Sequence, residues 1–279
     1  MGSIMYNDKL TINDLLALGS QGASISNEYY HQLPGVSGSA LSLMEESNRH
    51  FDNKKLFSMG DQAHFALGSF VHELVLEPHL SSSYVQMPSF DGRTTVGKAD
   101  KAAWLAQNQN KIVISSEDYD KATRMAENVW AICGDTLDNS ICERSLFAEF
   151  APGVIIKCRI DAQCGTDDYD LKTMTPKNGM SEYELRTHAE KYGYYKSAAL
   201  RNVVRQSLGL ITGDSFLIFV STSPGQMVKV RRIPRQIITA EMSKVRLMLS
   251  GYADYLKYGD LENDVRDLQV YEQRLGAIP

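Results

Sequence analysis

Asp170-Leu171-Lys172, preceded by Cys158-Arg-Ile-Asp161, is the stretch on which the fold of this chain turns. Segments 145–150, 154–162 and 169–173 alternate or run apolar. They are separated by Pro152-Gly153 and by 165–168, and so read as consecutive antiparallel strands. Strand side chains alternate, which puts Asp170 and Lys172 on one face, and a hairpin brings Asp161 beside them. Two carboxylates converging with a lysine suit a divalent metal that keeps open positions for water and a phosphate. Such a metal would polarise a phosphoryl oxygen and acidify bound water, while Lys172 would orient that water or neutralise charge. An isolated Asp-x-Lys also occurs by chance on solvated strand faces, so the flanking sequence has to decide.

Working outward, Gly68-Ser-Phe-Val-His72 falls inside an apolar-periodic stretch, 59–76, that reads as a helix stopping at Pro78. Positions 64, 68 and 72 share a face. A glycine inside a helix costs ~1 kcal/mol against alanine, so close approach of another group is expected at Gly68. The ordinary alternative is a tight helix-to-sheet contact with His72 in the core or at its boundary. Glu143 stands just before the first strand of the meander, as a third carboxylate or a surface charge. Helices return over 181–206, as one element or two abutting ones. There Arg201 and Arg205 stand at i,i+4 spacing with Tyr and Lys residues one to two turns earlier. That pattern fits a cationic stripe for a phosphodiester backbone, or a solvated helix face.

The remaining elements complete the order. A short helix over 37–46 has Ser37 as its cap, and 81–97 reads as a loop with Arg93 and Lys98 near its end. Helices over 99–107 and 117–133 flank a strand at 112–114. Strands 215–221 and 227–233 are joined by Ser223-Pro224-Gly225, and a helix covers 240–258. The succession predicts an α/β (α+β) domain around one central mixed sheet flanked by helices. Residues 1–23 read as an N-terminal appendage and 24–279 as a single domain.

Composition narrows the function classes. The 279 residues are 43% hydrophobic and 23% charged, ordinary for a globular chain and incompatible with disorder as the dominant state. No apolar run approaches the ~18 residues of a membrane span, and Asn7, Asp8 and Lys9 stand where a signal peptide would need apolar residues. Cys133, Cys142, Cys158 and Cys164 form no CxxC pair and read as reduced thiols, which points to the cytoplasm. A net charge of −5 argues against coating nucleic acid with an all-round basic surface, and is compatible with basic residues gathered in one cleft.

The order Gly-x-x-x-His, Glu, Asp, Asp-x-Lys resembles the PD-(D/E)XK nuclease superfamily, and within it the exodeoxyribonuclease VIII (RecE-type) nuclease domain of prophages. Ile25-Ser-Asn-Glu-Tyr-Tyr-His31 and Pro34-Gly-Val-Ser-Gly-Ser-Ala-Leu41 are similar to that family's opening. Leu67-Gly-Ser-Phe-Val-His-Glu-Leu-Val-Leu-Glu-Pro78 is similar to its histidine helix, and Pro88-Ser-Phe-Asp-Gly-Arg-Thr-Thr-Val-Gly-Lys98 to its Arg-Thr/Gly-Lys loop. Cys158-Arg-Ile-Asp161 and Asp170-Leu-Lys-Thr173 are similar to its catalytic strands, and the likeness spans roughly residues 24–258.

The resemblance implies a restriction-endonuclease-like core and metal ligation by His72, Asp161, Asp170 and the backbone carbonyl of Leu171. Lys172 becomes the catalytic lysine and Glu143 a further acidic group of the site. Ser37, Ser39, Arg93, Thr94 and Lys98 become candidates for DNA contacts, with Tyr195 and Arg201 beside them. The implied activity is Mg²⁺-dependent digestion of linear double-stranded DNA from the 5′ end, with Mn²⁺ able to substitute. It would leave a 3′ overhang for a single-strand annealing protein, and relatives assemble as homo-oligomeric rings. The likeness departs where relatives carry Gln-x-x-x-Tyr, since Tyr195 and Ala199 stand at those places. The cysteine spacing does not resemble the iron–sulfur ligands of some relatives, so no cluster is expected. Two alternatives stay open: an endonuclease or flap nuclease of the same fold, and a nuclease-like DNA-binding module.

Overall fold

The computed structural model describes residues 7–52, 63–177 and 179–259. The helices are α1 (Ile12–Leu18), α2 (Asn27–Gln32), α3 (Leu41–Glu46), α4 (Asn48–Asp52), α5 (Ala63–Leu76), α6 (Thr95–Gln107), α7 (Ser116–Asp138), α8 (Glu182–Lys191), α9 (Tyr194–Ser207) and α10 (Arg235–Tyr258). Hydroxyl caps set many of their starts, because a side-chain oxygen takes an N–H that the helix leaves unpaired. Thr11, Ser26, Thr94, Ser115 and Ser181 each accept from the first turn of the helix that follows.

β1 (Tyr84–Met87) and β2 (Ile112–Ser115) form a small parallel ribbon. The expected meander follows as β3 (Ile141–Ala151), β4 (Val154–Cys164) and β5 (Asp167–Met174), each antiparallel to the one before. β6 (Ser215–Ser221) returns parallel to β5 after α8 and α9, and β7 (Val228–Arg232) closes a five-stranded sheet of order β3-β4-β5-β6-β7. This is the mixed sheet with flanking helices that the sequence predicts.

Several boundaries differ from the expectation for local reasons. The stretch 81–97 holds β1 and the start of α6, because the Thr94 hydroxyl caps the helix by accepting from Gly97 N at 3.0 Å. Residues 37–46 are a 3-10 turn followed by α3, and Ser37 caps nothing; its hydroxyl lies 3.2 Å from that of Ser39. The stretch 181–206 is two helices. The expected start of the histidine helix at 59 lies outside the described residues, as does the chain beyond 259.

Two main cores sandwich the sheet. Leu146, Ile156 and Ile160 pack with Val203 of α9 and Val245 and Leu249 of α10. Leu171, Ile218 and Val220 pack with Phe70 of α5 and Met125 and Val129 of α7. Each such fully buried aliphatic side chain contributes roughly 1.5–3 kcal/mol. Gly68 permits the second contact, since a Cβ there would stand 3.1 Å from the Thr173 hydroxyl on β5. Residues 7–36 are fastened to the outer strands. Leu15, Ile25, Tyr30 and Leu33 surround Phe147, and Ala23 exchanges backbone hydrogen bonds with Ser145 at 2.8 and 3.0 Å. Buried Lys157 donates to the carbonyls of Tyr30 and Leu33, both at 2.6 Å. Among the described residues, no helix is long and apolar enough to cross a membrane.

Candidate metal-binding active site

The site opens where the sheet comes apart. β4 and β5 pair only from Ala162 with Tyr169 outward, so the strands diverge at Asp161 and Asp170. Across the fork, Leu171 N–H donates to Asp161 Oδ2 at 2.8 Å. On the other side of β4, Glu143 lies between two residues of β3 paired with Ala162 and Ile160, and so stands across from Asp161. Its φ of 53° leaves the extended region, a conformation that non-glycine residues adopt at a cost and that gathers at functional sites. Side alternation breaks at the same level, for Ile160 belongs to one core and Ala162 to the other.

Three elements converge on this fork. From α5, the His72 ring comes within 3.8 Å of Asp161 Oδ2 and also reaches the backbone of Leu171. His72, Glu143 and Asp161 each offer a ligand atom, and these atoms lie within 4.8 Å of one another. Asp170 stands beside them, its Oδ1 accepting from Lys172 Nζ at 2.7 Å and its Oδ2 3.4 Å from Arg201 Nη1. From the third direction, Arg159 ion-pairs with Glu143, lies 3.4 Å from Glu77, and donates to the Ile25 carbonyl at 2.7 Å. The fork lies in a cavity of about 1360 Å³, walled by α5, residues 27–39, and α8 with the start of α9.

Burial and mutual charge set the ionisation of these groups. Burial lowers the His72 pKa, against the pull of Asp161, and keeps the imidazole neutral and able to bind a cation. Burial raises Asp161, and the neighbouring Asp170 charge adds to that. Burial alone would raise Asp170 too, but Arg201 and Lys172 outweigh it and hold this carboxyl well below the usual range. Burial opposes the charge on Lys172, yet Asp170 and Asp161 raise its pKa and keep it cationic. Glu143 is pushed up to about 8 by burial, with Arg159 acting in the opposite direction.

This donor set fits a divalent cation. It combines one neutral imidazole with carboxylates, and Asp170 Oδ2 is buried without a hydrogen-bond partner. Buried acids crowded together carry a desolvation and repulsion cost that a bound cation relieves.

The structure redistributes the other residues singled out in the sequence. Arg201 and Arg205 are not a surface stripe. Both are buried and tied to Asp168, at 3.0 and 3.4 Å, so they brace β5 from beneath. Glu143 sits within β3 rather than ahead of it. Ser37 and Ser39 line the cavity, whereas Arg93, Thr94 and Lys98 do not. Arg93 is exposed and pairs with Asp91. Tyr195 lines a separate cleft of about 340 Å³, and Tyr194 takes the place at the cavity, with Lys172 Nζ 5.2 Å from its ring centre. Arg159, Glu77 and Asp168 escaped the sequence reading. For Arg159 a signal existed: it stands two residues before Asp161 on the same strand.

Comparison with known proteins shows the fold. No protein-family profile and no curated protein sequence matches the chain. The crystal structure of a putative exonuclease from Eubacterium rectale superposes with a TM-score of 0.58 at 12% identity, over 86% of this chain and 89% of that one. The structure of SSO0001 covers 68% of this chain and 88% of its own at 15% identity, but with a TM-score of 0.29 it carries no argument. The chain thus shares the architecture of the first of these structures, and its five-stranded mixed sheet flanked by helices is consistent with the PD-(D/E)XK-like fold.

Proposed function

We propose that the chain is a metal-dependent exodeoxyribonuclease acting on linear double-stranded DNA. The observation that carries this reading is the meeting of Asp161, Asp170, Lys172 and His72 at the β4–β5 fork, inside a cavity of about 1360 Å³. The likeness in fold to the putative exonuclease from Eubacterium rectale supports the nuclease class. His72, Asp161, Glu143 and Asp170, with the Leu171 carbonyl, would hold the metal, Mg²⁺ in this reading and Mn²⁺ as a substitute. When bound, the metal supplies Lewis-acid polarisation of a phosphoryl oxygen and acidification of a water. Lys172, cationic and anchored on Asp170, offers its remaining protons to a phosphate oxygen or an attacking water. The Ser37 and Ser39 hydroxyls, which line the cavity, would donate to phosphate oxygens in this reading.

The finer assignment comes from the motif likeness described above. In this reading the enzyme degrades one strand 5′ to 3′ and leaves a 3′ overhang for a single-strand annealing protein. It works as a homo-oligomeric ring in the cytoplasm of a bacterial or phage-infected cell. The test is digestion of a linear duplex labelled at its 5′ or 3′ end, in Mg²⁺ or EDTA, beside covalently closed circles. Expected is Mg²⁺-dependent release of the 5′ label with circles intact. Asp161→Ala and Asp170→Ala should abolish release, and Lys172→Ala should slow it by about 100-fold or more. Cut circles would move the assignment to an endonuclease. Absence of cleavage in both Mg²⁺ and Mn²⁺ would leave a DNA-binding module.

A further inference from the structure

The cavity wall made by α8 and the start of α9 adjoins Lys172 and carries aromatic and cationic side chains. Tyr183, Thr187 and Lys191 recur at i, i+4 and i+8, so one face of α8 lines the cavity. Tyr183 is 70% exposed and Tyr192 54% exposed, although both are large rings that burial would favour. Tyr192 and Tyr194 lie two residues apart, a spacing that would point them to opposite sides of a continuous helix. Gly193 alters this. Its left-handed conformation, φ 66° and ψ 27°, ends α8 and restarts the chain as α9. Across that break the two rings stack at 6.0 Å and 22°. The His188 ring lies 4.5 Å from that of Tyr192, Tyr194 Oη is 3.3 Å from His188 Nε2, and Lys191 Nζ sits 5.0 Å from the Tyr192 centroid. At the inner end, Tyr194 packs under Lys172.

We propose that this wall is a stacking platform for the unpaired bases of a single DNA strand entering the site, with Tyr192 and Tyr183 as its exposed rings. The proposal rests on the nuclease reading of the adjoining carboxylates and specifies the substrate form that reaches them: a strand already separated from its complement. Every base has a π face, so exposed tyrosines interleaved with Lys177 and Lys191 hold single-stranded nucleic acid without reading its sequence. Paired bases inside a duplex keep those faces covered. The rings therefore discriminate strand state, which charge alone would not do.

The test is equilibrium binding by fluorescence anisotropy, with Ca²⁺ in place of Mg²⁺ and oligonucleotide integrity checked afterwards. The probes are labelled oligo-dT and an abasic oligonucleotide of equal length. Wild type should bind oligo-dT more tightly than the abasic strand. Tyr192→Ala should weaken oligo-dT binding about tenfold and leave the abasic strand within about twofold, and Tyr192→Trp should restore the difference. Tyr183→Ala, on a separate exposed position, should act in the same sense. Equal weakening on both probes, or none on either, would overturn the platform. The two readings fail separately. Wild-type cleavage of duplex ends with base-independent binding removes the platform and keeps the nuclease. Base-dependent binding by a chain that cleaves nothing in any metal does the reverse.

Discussion

At the scale of single residues, Arg159 ties three separate groups to the edge of the site. It neutralises Glu143 and Glu77, both buried, while holding the Ile25 carbonyl. Arg159→Leu should lower unfolding free energy by about 3–5 kcal/mol in urea titration above pH 8, where Glu143 is ionised, because two buried acids would be left without their cation. Unchanged stability would mean that Glu143 and Glu77 are held by something else. Glu143 itself predicts a pH signature in EDTA. Its carboxyl, at about 8 in the fold against an ordinary 4.5, binds its proton more tightly when folded. Its contribution therefore favours the folded state at low pH and is lost as pH rises from about 4.5 toward 8. Glu143→Gln, which cannot ionise, should gain stability relative to wild type across that window, measured by denaturation at a series of pH values. A constant difference would refute the assigned ionisation. The nearness of Asp170 to Lys172 is legible because the strand period fixes their shared face, and that of Asp161 because antiparallel strands bring it beside them. The setting of Arg201 and Arg205 is not. An i,i+4 arginine pair looks the same on a solvated face as in a buried network, and the decisive partner, Asp168, lies far back in the chain.

At the scale of elements, local signals set the strands and the tertiary contacts set their use. Pro152-Gly153 and the turn before β5 mark the meander, and the apolar run 215–221 coincides with β6. The split between α8 and α9 is not fixed by the sequence, since a glycine within a helical pattern can be tolerated, and only the left-handed backbone at Gly193 decides it. The ribbon of β1 and β2 was half missed, because four residues flanked by serines and a proline carry too little period to distinguish strand from loop. The segment 25–36 is tied to β4 by Arg159 at Ile25, by the backbone of Val36, and by Lys157. It forms part of the cavity wall, and Lys157 holds it through two backbone carbonyls. Lys157→Met should cost about 3 kcal/mol, since bonds to charged donors are the stronger kind. It should also open a new protease-sensitive site between residues 25 and 36, detected by limited proteolysis and mass spectrometry. Wild-type resistance would show that the contacts to Phe147, the Arg159–Ile25 bond and the Val36 backbone bonds suffice.

At the scale of the molecule, the sequence order predicts one mixed sheet between helical layers, and the structure has it. What the order could not show is that the acidic site lies at the junction of the two cores, where β4 and β5 cease to pair. A cation bound there would join the layers, so Mg²⁺ at 100 times its dissociation constant should add about 2.7 kcal/mol of stability. That appears as a higher melting temperature for wild type and no shift for Asp161→Ala; an equal shift in both would place the metal elsewhere. The fork has one more consequence. The Leu171 amide proton crosses it, donated to the side-chain carboxylate of Asp161 on β4 rather than to a backbone carbonyl. In a nitrogen-labelled sample, the Leu171 resonance would therefore register the charge state of Asp161 directly. Its exchange with deuterium would time the opening of the seam between the layers. One peak would thus act as a built-in gauge of the whole molecule's integrity, legible without substrate and without turnover.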